Sequence, residues 1–388
     1  MKKKLSTLLA ISMIAAAFSG CASNPSKGTE GEGNSVFKIG GIGPTTGSAA
    51  VYGQAVKNAA ELAVKEINDA GGVNGYKIEF SFQDDENDAE KSVNAYNTLK
   101  DWGMQMLMGT VTSTPSIEVA TKTAEDNMFQ LTPSGSAVEI LAADNAFRVC
   151  FSDPDQGMAS AKYIGEKKLA TKVAVIYDSS SVYSSGIYEK FAAEAKNQGF
   201  EIVAAEAFTS ESNTDFSVQL QKAKKSGAEI VFLPIYYQEA SLILTQANSM
   251  GYKPTFFGCD GLDGILAVDN FDKKLAEGVI LLTPFAADAE DELTKKFVKA
   301  YKDAYGDVPN QFAADAYDAI YAIAKAAEKG NVTPDKSVSD ICEAMKTAMT
   351  EITLDGVTGV GMVWDESGEP NKAPKAVKIV DGAYTAMK

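Results

Sequence analysis

From residue 36 onward, the chain alternates short apolar runs rich in β-branched residues with longer segments of helical periodicity, separated by Gly, Pro or Asp turns. The run Val-Ala-Val-Ile-Tyr at 173–177 is apolar throughout, which is typical of a strand buried on both faces. Strands that alternate with helices form right-handed βαβ units, and these favour mostly parallel sheets covered by helices. Two cycles of this alternation, at about 36–150 and 170–284, predict an α/β fold with two doubly wound, Rossmann-like lobes.

The same patterns predict the individual elements. Predicted strands span residues 37–42, 77–83, 105–108, 128–131, 172–177, 201–205, 229–233, 255–257 and 279–282. Amphipathic helices between them include those over 51–69, 89–101, 184–198, 214–226 and 239–250. Beyond the second cycle, we expect a helical pair over 290–329, a helix over 338–349 and closing strands near 359–364 and 375–380, all of which must return to one or both lobes.

The N-terminus has the order of a secretory signal. Three lysines at positions 2–4 precede an apolar stretch over 5–18, which is shorter than the roughly 20 residues of a membrane span. Small residues then lead to Cys21, and this arrangement resembles a bacterial lipoprotein signal, although Phe18 stands where that family usually has Leu. We predict a signal peptide over 1–20, lipidation of Cys21 and a flexible tether over 21–35. The protein would then be exported and lipid-anchored to the outer face of the cell membrane, or periplasmic; a plain secretory signal is the alternative.

Composition excludes several kinds of site. The chain has 36 Lys and Arg against 52 Asp and Glu, no His, and a formal charge of −16. Without imidazole, Ser-His-Asp and Cys-His catalytic systems and His-ligated metals are excluded, so enzymatic functions start at a disadvantage. Arg148 is the only arginine, which leaves almost no bidentate clamp for phosphate, and an acidic chain lacks the basic surface that nucleic acids need. Cys150, Cys259 and Cys342 are widely spaced without a CxxC pair, so we expect buried free thiols.

Two local motifs suggest ligands but fail in detail. Residues 41–47 form a Gly-rich turn, but the spacing GxGxxxG with Pro44 inside it misses the dinucleotide fingerprint. The acidic run 84–88 suggests calcium, but it lacks the Gly of a calcium loop and has Ala95 where the closing Glu would lie. We therefore expect a solvated loop in which Asp88 caps a helix.

Hydroxyl-rich turns follow two neighbouring predicted strands. Residues 109–115 follow the third strand and residues 132–136 follow the fourth, so both turns lie at the carboxyl ends of parallel strands, where open α/β sheets bind ligands. Each turn is expected to open into a helix whose first N–H groups are unpaired, so that hydroxyls and backbone donors could hold a carboxylate without arginine. The alternative is that these Ser and Thr residues only cap helices.

At this point the body of the chain resembles the leucine/isoleucine/valine-binding type of ABC transporter substrate-binding protein, which has the type I periplasmic-binding-protein fold. The resemblance rests on segments in the family's order: residues 43–47 with 52–53, 59–63 leading into 67–75, 84–85, 109–115, 132–134, 147–149 with 155–157, 235–237 and 258–261. It implies three crossovers at a hinge, near 151–155, 283–286 and 361–365. The implied lobes are 36–153 plus 286–362 and 154–285 plus 363–388, with a ligand cleft between them. Arg148 lies in one of the matching segments and is interpreted as structural.

The resemblance also implies binding residues, position by position. Ser113, Ser134 and Ser136 match positions that hold the ligand's α-carboxylate, and Asp260 matches the acid that pairs with the α-ammonium. The leucine-binding members have Glu at this last position, so the shorter Asp leaves the ligand's identity open. Three tyrosines match the aromatic walls of the side-chain pocket: Tyr52, Tyr183 and Tyr236. Tyr183 as a simple loop aromatic and Asp260 as a helix cap remain alternatives, and the family's early disulfide is missing because Thr112 occupies one of its positions.

We therefore expect a non-enzymatic, monomeric substrate-binding protein of an ABC importer, with no cofactor and no metal. It would bind a small neutral amino acid, most readily a branched-chain one, and deliver it to the permease subunits in the membrane. The open alternatives are a ligand-sensing module for a receptor and the same fold binding an amide, urea or an aromatic acid. A lipid-anchored hydrolase is a third reading, which would need an Asp, Glu, Lys or Tyr base beside Ser113 or Ser136.

Overall fold

The computed structural model describes residues 36–387, which form two β-sheets with their covering helices. The predicted signal peptide, Cys21 and the tether lie outside the described residues. Within this range, no helix is both long enough and apolar enough to cross a membrane.

The first sheet is entirely parallel and has the strand order β2-β1-β3-β4-β5. Its strands are β1 (Val36–Gly43), β2 (Lys77–Asp84), β3 (Met106–Gly109), β4 (Phe129–Thr132) and β5 (Ala146–Arg148). The central strand β3 and its neighbour β4 are buried along their whole length, as expected of strands covered on both faces.

The second sheet has the order β12-β11-β10-β9-β8-β6-β7. Its parallel strands are β6 (Lys172–Asp178), β7 (Glu201–Phe208), β8 (Ile230–Leu233), β9 (Thr255–Gly258) and β10 (Ile280–Thr283). Two antiparallel strands close one edge: β11 (Lys375–Val380) pairs with β10, and β12 (Ala383–Ala386) pairs with β11. The two sheets, one parallel and one mostly parallel, confirm the predicted two-lobe α/β fold.

The α-helices match the predicted helical segments closely. They are α1 (Ala50–Asp69), α2 (Ala89–Trp102), α3 (Ser113–Glu125), α4 (Asp153–Glu166), α5 (Val182–Ala195), α6 (Ser217–Lys225), α7 (Tyr237–Ser249), α8 (Glu292–Tyr305), α9 (Gln311–Lys329) and α10 (Val338–Met349). Asp88 caps α2 by accepting a hydrogen bond of 2.8 Å from the backbone N–H of Lys91, as predicted for the acidic loop. Cys150, Cys259 and Cys342 are buried and free, also as predicted.

Two local predictions are wrong. The segment 359–364 forms no strand, because it only makes isolated bridges from Met362 to Leu354 and from Trp364 to Pro370. Gly361 has a φ of 66° there, a left-handed conformation that extended strands do not use. The turn after β4 opens into a short 3₁₀ turn at Val138–Leu141 and not into an α-helix, whereas the turn after β3 does open into α3.

The chain passes between the two sheets three times. After β5 it enters α4, which packs against α5 beside the second sheet; after β10 it enters α8 to α10, and α9 and α10 contact β3 and β4 of the first sheet. It then returns to form β11. Before that return, Gly368 and Glu369 still contact Arg148 of β5. The sequence limits of the two lobes stay a prediction.

Candidate functional site

All seven residues predicted to bind a ligand line one pocket between the two sheets. The complete lining is Tyr52, Val111, Thr112, Ser113, Ser134, Ser136, Tyr183, Tyr236, Asp260, Gly261 and Phe312. The cavity that they enclose has a volume of about 10 Å³, which is about the space of one water molecule. A larger ligand therefore fits only when the walls of the pocket move apart.

The side of the pocket that belongs to the first sheet presents hydroxyl groups. Ser113 is the first residue of α3, directly after β3, and its Oγ accepts a hydrogen bond of 3.3 Å from the backbone N–H of Ala137. Ser134 lies after β4 and donates a hydrogen bond of 2.7 Å to the carbonyl of Val111. These contacts join the two turns that follow neighbouring strands, as the sequence predicts. Because the oxygen of Ser113 accepts from the backbone, its own proton can be donated to an anion in the pocket.

The side that belongs to the second sheet carries a buried carboxylate. Asp260 follows β9, is 3 % exposed, and accepts a hydrogen bond of 2.6 Å from the hydroxyl of Tyr183. The backbone N–H of Gly261 in turn donates to the Tyr183 hydroxyl at 3.0 Å. Burial raises the pKa of Asp260 from 3.8 to about 6, against the opposing effect of the Tyr183 hydroxyl. A cation in the pocket would offset that desolvation.

The contacts bear on both sequence alternatives for this side. Tyr183 is 3 % exposed and bonded to Asp260, so it is not an isolated loop aromatic. Asp260 is the first residue of a 3₁₀ turn and not its N-cap, which is Cys259. The backbone N–H of Gly261 also acts to lower the pKa of the Asp260 carboxylate.

Tyr52 links the two sides of the pocket. It lies on α1, is fully buried, and its hydroxyl donates to the carbonyl of Gly261 at 2.5 Å while accepting from the backbone N–H of Tyr237 at 3.3 Å. Its ring stacks on Phe312 with centroids 4.0 Å apart and meets Tyr236 edge-on at 5.5 Å. The aromatic wall is therefore one continuous cluster drawn from both sheets.

Sequence reasoning missed Phe312 and Thr112 as pocket residues. Phe312 is in the first turn of α9, which the sequence identified only as a helix, and nothing near it in sequence marks a binding role. Thr112 lies in the hydroxyl-rich turn 109–115 and directly precedes Ser113, so the turn itself signals its place beside the pocket although no individual role is predicted for it.

A second buried acid lies close to the pocket. Asp153 begins α4, is 2 % exposed, and its backbone N–H donates to the carbonyl of Ser136 at 2.9 Å. Burial raises the pKa of Asp153 well above its ordinary value, and the negative charge of Asp260 acts in the same direction. Among the described residues, no Lys or Arg lines the pocket, so its charge is negative or neutral.

A larger polar cavity adjoins the pocket and shares Tyr183 and Tyr236 with it. Its volume is about 310 Å³, and its walls are mainly hydroxyl and amide side chains together with Asp178 and Glu239. Within residues 36–387, no group of three or more His, Cys, Asp or Glu side chains is arranged to hold a metal ion. The pocket thus offers hydrogen bonds, aromatic surface and negative charge.

Comparison with known proteins gives this geometry its context. A family model described as "Periplasmic binding protein" matches residues 36–383. The "Leucine-, isoleucine-, valine-, threonine-, and alanine-binding protein" of Pseudomonas aeruginosa is 31 % identical over 337 residues, which cover 86 % of this chain and 87 % of the relative.

Two solved structures show the same fold. The branched-chain amino acid transporter substrate binding protein LivJ from Streptococcus pneumoniae, in complex with isoleucine, has a TM-score of 0.82 and 28 % identity, with 90 % of this chain and 98 % of that chain covered. An ABC transporter solute binding protein from R. palustris, in complex with benzoate, has a TM-score of 0.80 at 19 % identity, covering 91 % of this chain and 95 % of that one, and so shows the fold alone. From the family match over nearly all of the described residues, the chain belongs to the periplasmic binding protein family.

Proposed function

We propose that this chain is the extracytoplasmic substrate-binding protein of an ABC importer and that its pocket binds a small neutral amino acid, with leucine, isoleucine and valine as the leading ligands. The observation that carries the proposal is the polarity of the pocket: the buried carboxylate of Asp260 lies on one side, and the hydroxyls of Ser113, Ser134 and Ser136 lie on the other. An α-amino acid carries complementary charges one carbon apart.

The carboxylate end of the ligand is assigned to the first-sheet side. A buried carboxylate needs several donors, because desolvation without hydrogen bonds costs several kcal/mol. Ser113 and Ser136 supply hydroxyls, and the N-terminus of α3, where Ser113 is the first residue, adds backbone N–H groups and the positive end of the helix dipole. This arrangement binds an anion without arginine.

The ammonium end is assigned to Asp260. The Tyr183 hydroxyl donates to Oδ1 of this carboxylate, and the Gly261 backbone and the Gln156 side chain also act to lower its pKa. A carboxylate can accept several hydrogen bonds, so an ammonium can be added to these partners. Because Asp is one methylene shorter than the Glu of the family pattern, the ammonium must lie closer to the β9 turn or reach the carboxylate through water. The protein therefore recognises the backbone of an amino acid more firmly than any one side chain.

The aromatic cluster sets the side-chain preference. Tyr52, Tyr183, Tyr236 and Phe312 present apolar faces to the pocket, which suits an aliphatic side chain. The Pseudomonas aeruginosa relative is named for binding leucine, isoleucine, valine, threonine and alanine, which supports the same class of ligand here.

The proposal extends to the protein's partners and location. Lipidated Cys21 would hold the domain at the outer face of the membrane through the tether over 21–35, and the monomer would deliver its ligand to the permease subunits without catalysing a reaction. Replacing Cys21 by Ser should release the protein from the membrane fraction; a Cys21→Ser protein that still sediments with membranes would contradict the anchor.

The direct test is thermal unfolding and calorimetry of the purified protein against the twenty L-amino acids, short amides, urea and benzoate. A ligand that binds only the native state raises the melting temperature, because at a concentration of 100 times its Kd it adds about 2.7 kcal/mol to the free energy of unfolding. We expect the largest shifts with neutral L-amino acids. Binding of amides, urea or benzoate alone would show that the zwitterion site is wrong.

A further inference from the structure

Arg148, the only arginine of the chain, lies behind the pocket and does not line it. It ends β5, and its side chain is fully buried. Its two terminal nitrogens donate to different carbonyls: Nη1 to Gly135 at 3.2 Å and Nη2 to Ala137 at 2.9 Å. These two carbonyls flank Ser136, so the guanidinium holds the backbone on both sides of a pocket residue.

The same residue is fastened to the segment that precedes β11. Its Nε lies 3.1 Å from a carboxylate oxygen of Glu369, and its backbone N–H donates to the carbonyl of Gly368 at 3.1 Å. The indole N–H of Trp364 donates to the Arg148 carbonyl at 2.7 Å. Partial burial raises the pKa of Glu369, and the positive charge of Arg148 opposes that rise. The pair joins a fully buried guanidinium to a carboxylate side chain that is 32 % exposed.

The first passage between the sheets meets the third at this point. The carbonyl of Val149 accepts a hydrogen bond of 2.7 Å from Nζ of Lys372, which also forms a buried ion pair of 2.7 Å with Asp315 of α9. On the other side, the backbone N–H of Asp153 holds the carbonyl of Ser136. The loop that carries Ser136 is thus bonded to the chain segments whose rotation must accompany any separation of the two lobes.

From these contacts we propose that Arg148 is a positioning residue for ligand binding, which fixes the Ser136 hydroxyl in the pocket and couples that loop to the segments passing between the lobes. The inference rests on the proposed function, because it assumes that Ser136 contacts the ligand. Arginine suits this position because its planar fork donates to two carbonyls at once while its charge pairs with the Glu369 carboxylate. The single ammonium of lysine cannot replace this arrangement.

The test is a double-mutant cycle between Arg148→Lys and Ser136→Ala, with Kd measured by calorimetry for the neutral amino acid, among leucine, isoleucine, valine, threonine and alanine, that the wild type binds most tightly. We expect a loss of about fivefold for Arg148→Lys and about tenfold for Ser136→Ala, because the second change deletes the hydroxyl that the first only displaces. The double variant should lose about tenfold and not about fiftyfold, because both changes remove the same contact. Losses that multiply would show that Arg148 does not act through Ser136.

A stability control separates positioning from simple destabilisation. Met345→Ala opens a cavity in α10, where Met345 is fully buried and lies outside the pocket. It should lower the melting temperature of the ligand-free protein at least as much as Arg148→Lys does. Its Kd should stay within about twofold of the wild-type value, because Met345 is not a pocket residue. An equal loss of affinity in Met345→Ala would refute the positioning role.

The two proposals fail differently. If Asp260→Asn and Ser113→Ala also leave amino-acid binding unchanged, the proposed site itself is wrong. If those variants lose affinity while Arg148→Lys does not, the site stands and only the role of Arg148 is overturned.

Discussion

The two sides of the pocket are built from opposite chemistry. The first-sheet side offers Ser113, Ser134 and Ser136 without a charged group, whereas the second-sheet side offers Asp260 with Tyr183 bonded to it. A hydroxyl can donate or accept, but a carboxylate only accepts, so only the second side has a fixed electrical sense. In the proposed binding mode, Asp260 alone therefore sets the orientation of the ligand, and the hydroxyls of the first-sheet side adapt to it.

The largest effect is expected from Asp260→Asn, which keeps the shape of the side chain and removes its charge. A ligand ammonium would then be buried without a counter-ion, which costs about 3–5 kcal/mol, or about 150-fold to 4,000-fold in Kd by calorimetry. Asp269→Asn is the matched control, because Asp269 is exposed and lies in the same region after β9. If the Asp260→Asn protein keeps its affinity for amino acids, the charge of Asp260 does not orient the ligand and the proposed difference between the two sides is wrong.

Ser113→Ala should have the next largest effect, because it deletes one donor to the ligand carboxylate while other donors remain. A hydrogen bond to a charged group contributes about 1.5–3 kcal/mol, which corresponds to a loss of about 10-fold to 100-fold in affinity. Thr121→Ala, on an exposed face of the same helix α3, serves as the control. A loss for Ser113→Ala as large as that for Asp260→Asn would mean that the two sides contribute equally.

The asymmetry also predicts a pH dependence. The pKa of Asp260 is about 6 in the folded protein without ligand, and only its ionised form pairs with an ammonium, so affinity should fall about tenfold from pH 7 to pH 5. The free energy of unfolding of the ligand-free protein changes with pH in the opposite direction. Because the folded state binds the proton more tightly than the unfolded state, the contribution of Asp260 to stability decreases as pH rises from about 4 to about 6.

Titrations of Kd between pH 5 and pH 8 measure this effect, and Asp260→Asn supplies the comparison. Asp263 and Asp315 are also buried acids with raised pKa values, of about 6 and about 7, and they remain in that variant. The tenfold change in Kd between pH 7 and pH 5 should disappear in Asp260→Asn, because that variant lacks the titrating carboxyl group. A slope that persists there belongs to one of the other acids.

Tyr183→Phe should have the smallest effect at pH 8. The Tyr183 hydroxyl stabilises the ionised form of Asp260, so its removal raises the pKa of that carboxylate further while leaving it charged at high pH. We expect a change within about fivefold at pH 8 and a shift of the pH midpoint for binding toward higher pH. An unchanged midpoint would show that Tyr183 does not tune Asp260.

The elements that sequence patterns predicted well are those with unambiguous periodicity. Strands such as β6 are apolar throughout, and α1 has a long amphipathic pattern, so both were located to within a residue or two. β5 was missed because a strand of three residues is too short to show a period. The segment 359–364 alternates apolar and small residues like a strand, but the tertiary contact of Trp364 with Arg148 holds it as a loop.

The pocket residues also differ in whether a local sequence pattern predicts them. Ser113 and Ser134 are recognisable because they follow buried strands, a local rule that the chain obeys. Asp260 and the tyrosines came from the family resemblance, and their binding roles stay predictions. Phe312 could not be found in either way, because its place beside Tyr52 depends on how α9 packs against α1, and no local pattern encodes that contact.

The three passages between the sheets have a consequence for how the chain is made. During synthesis, β3 and β4 leave the ribosome long before α9 and α10, which cover them, and β10 leaves long before β11, which pairs with its edge. Neither lobe can be finished until nearly the whole chain is available, so apolar strands and an open sheet edge stay uncovered throughout translation. Chains that terminate before α9 should therefore accumulate as aggregates and not as a folded single lobe.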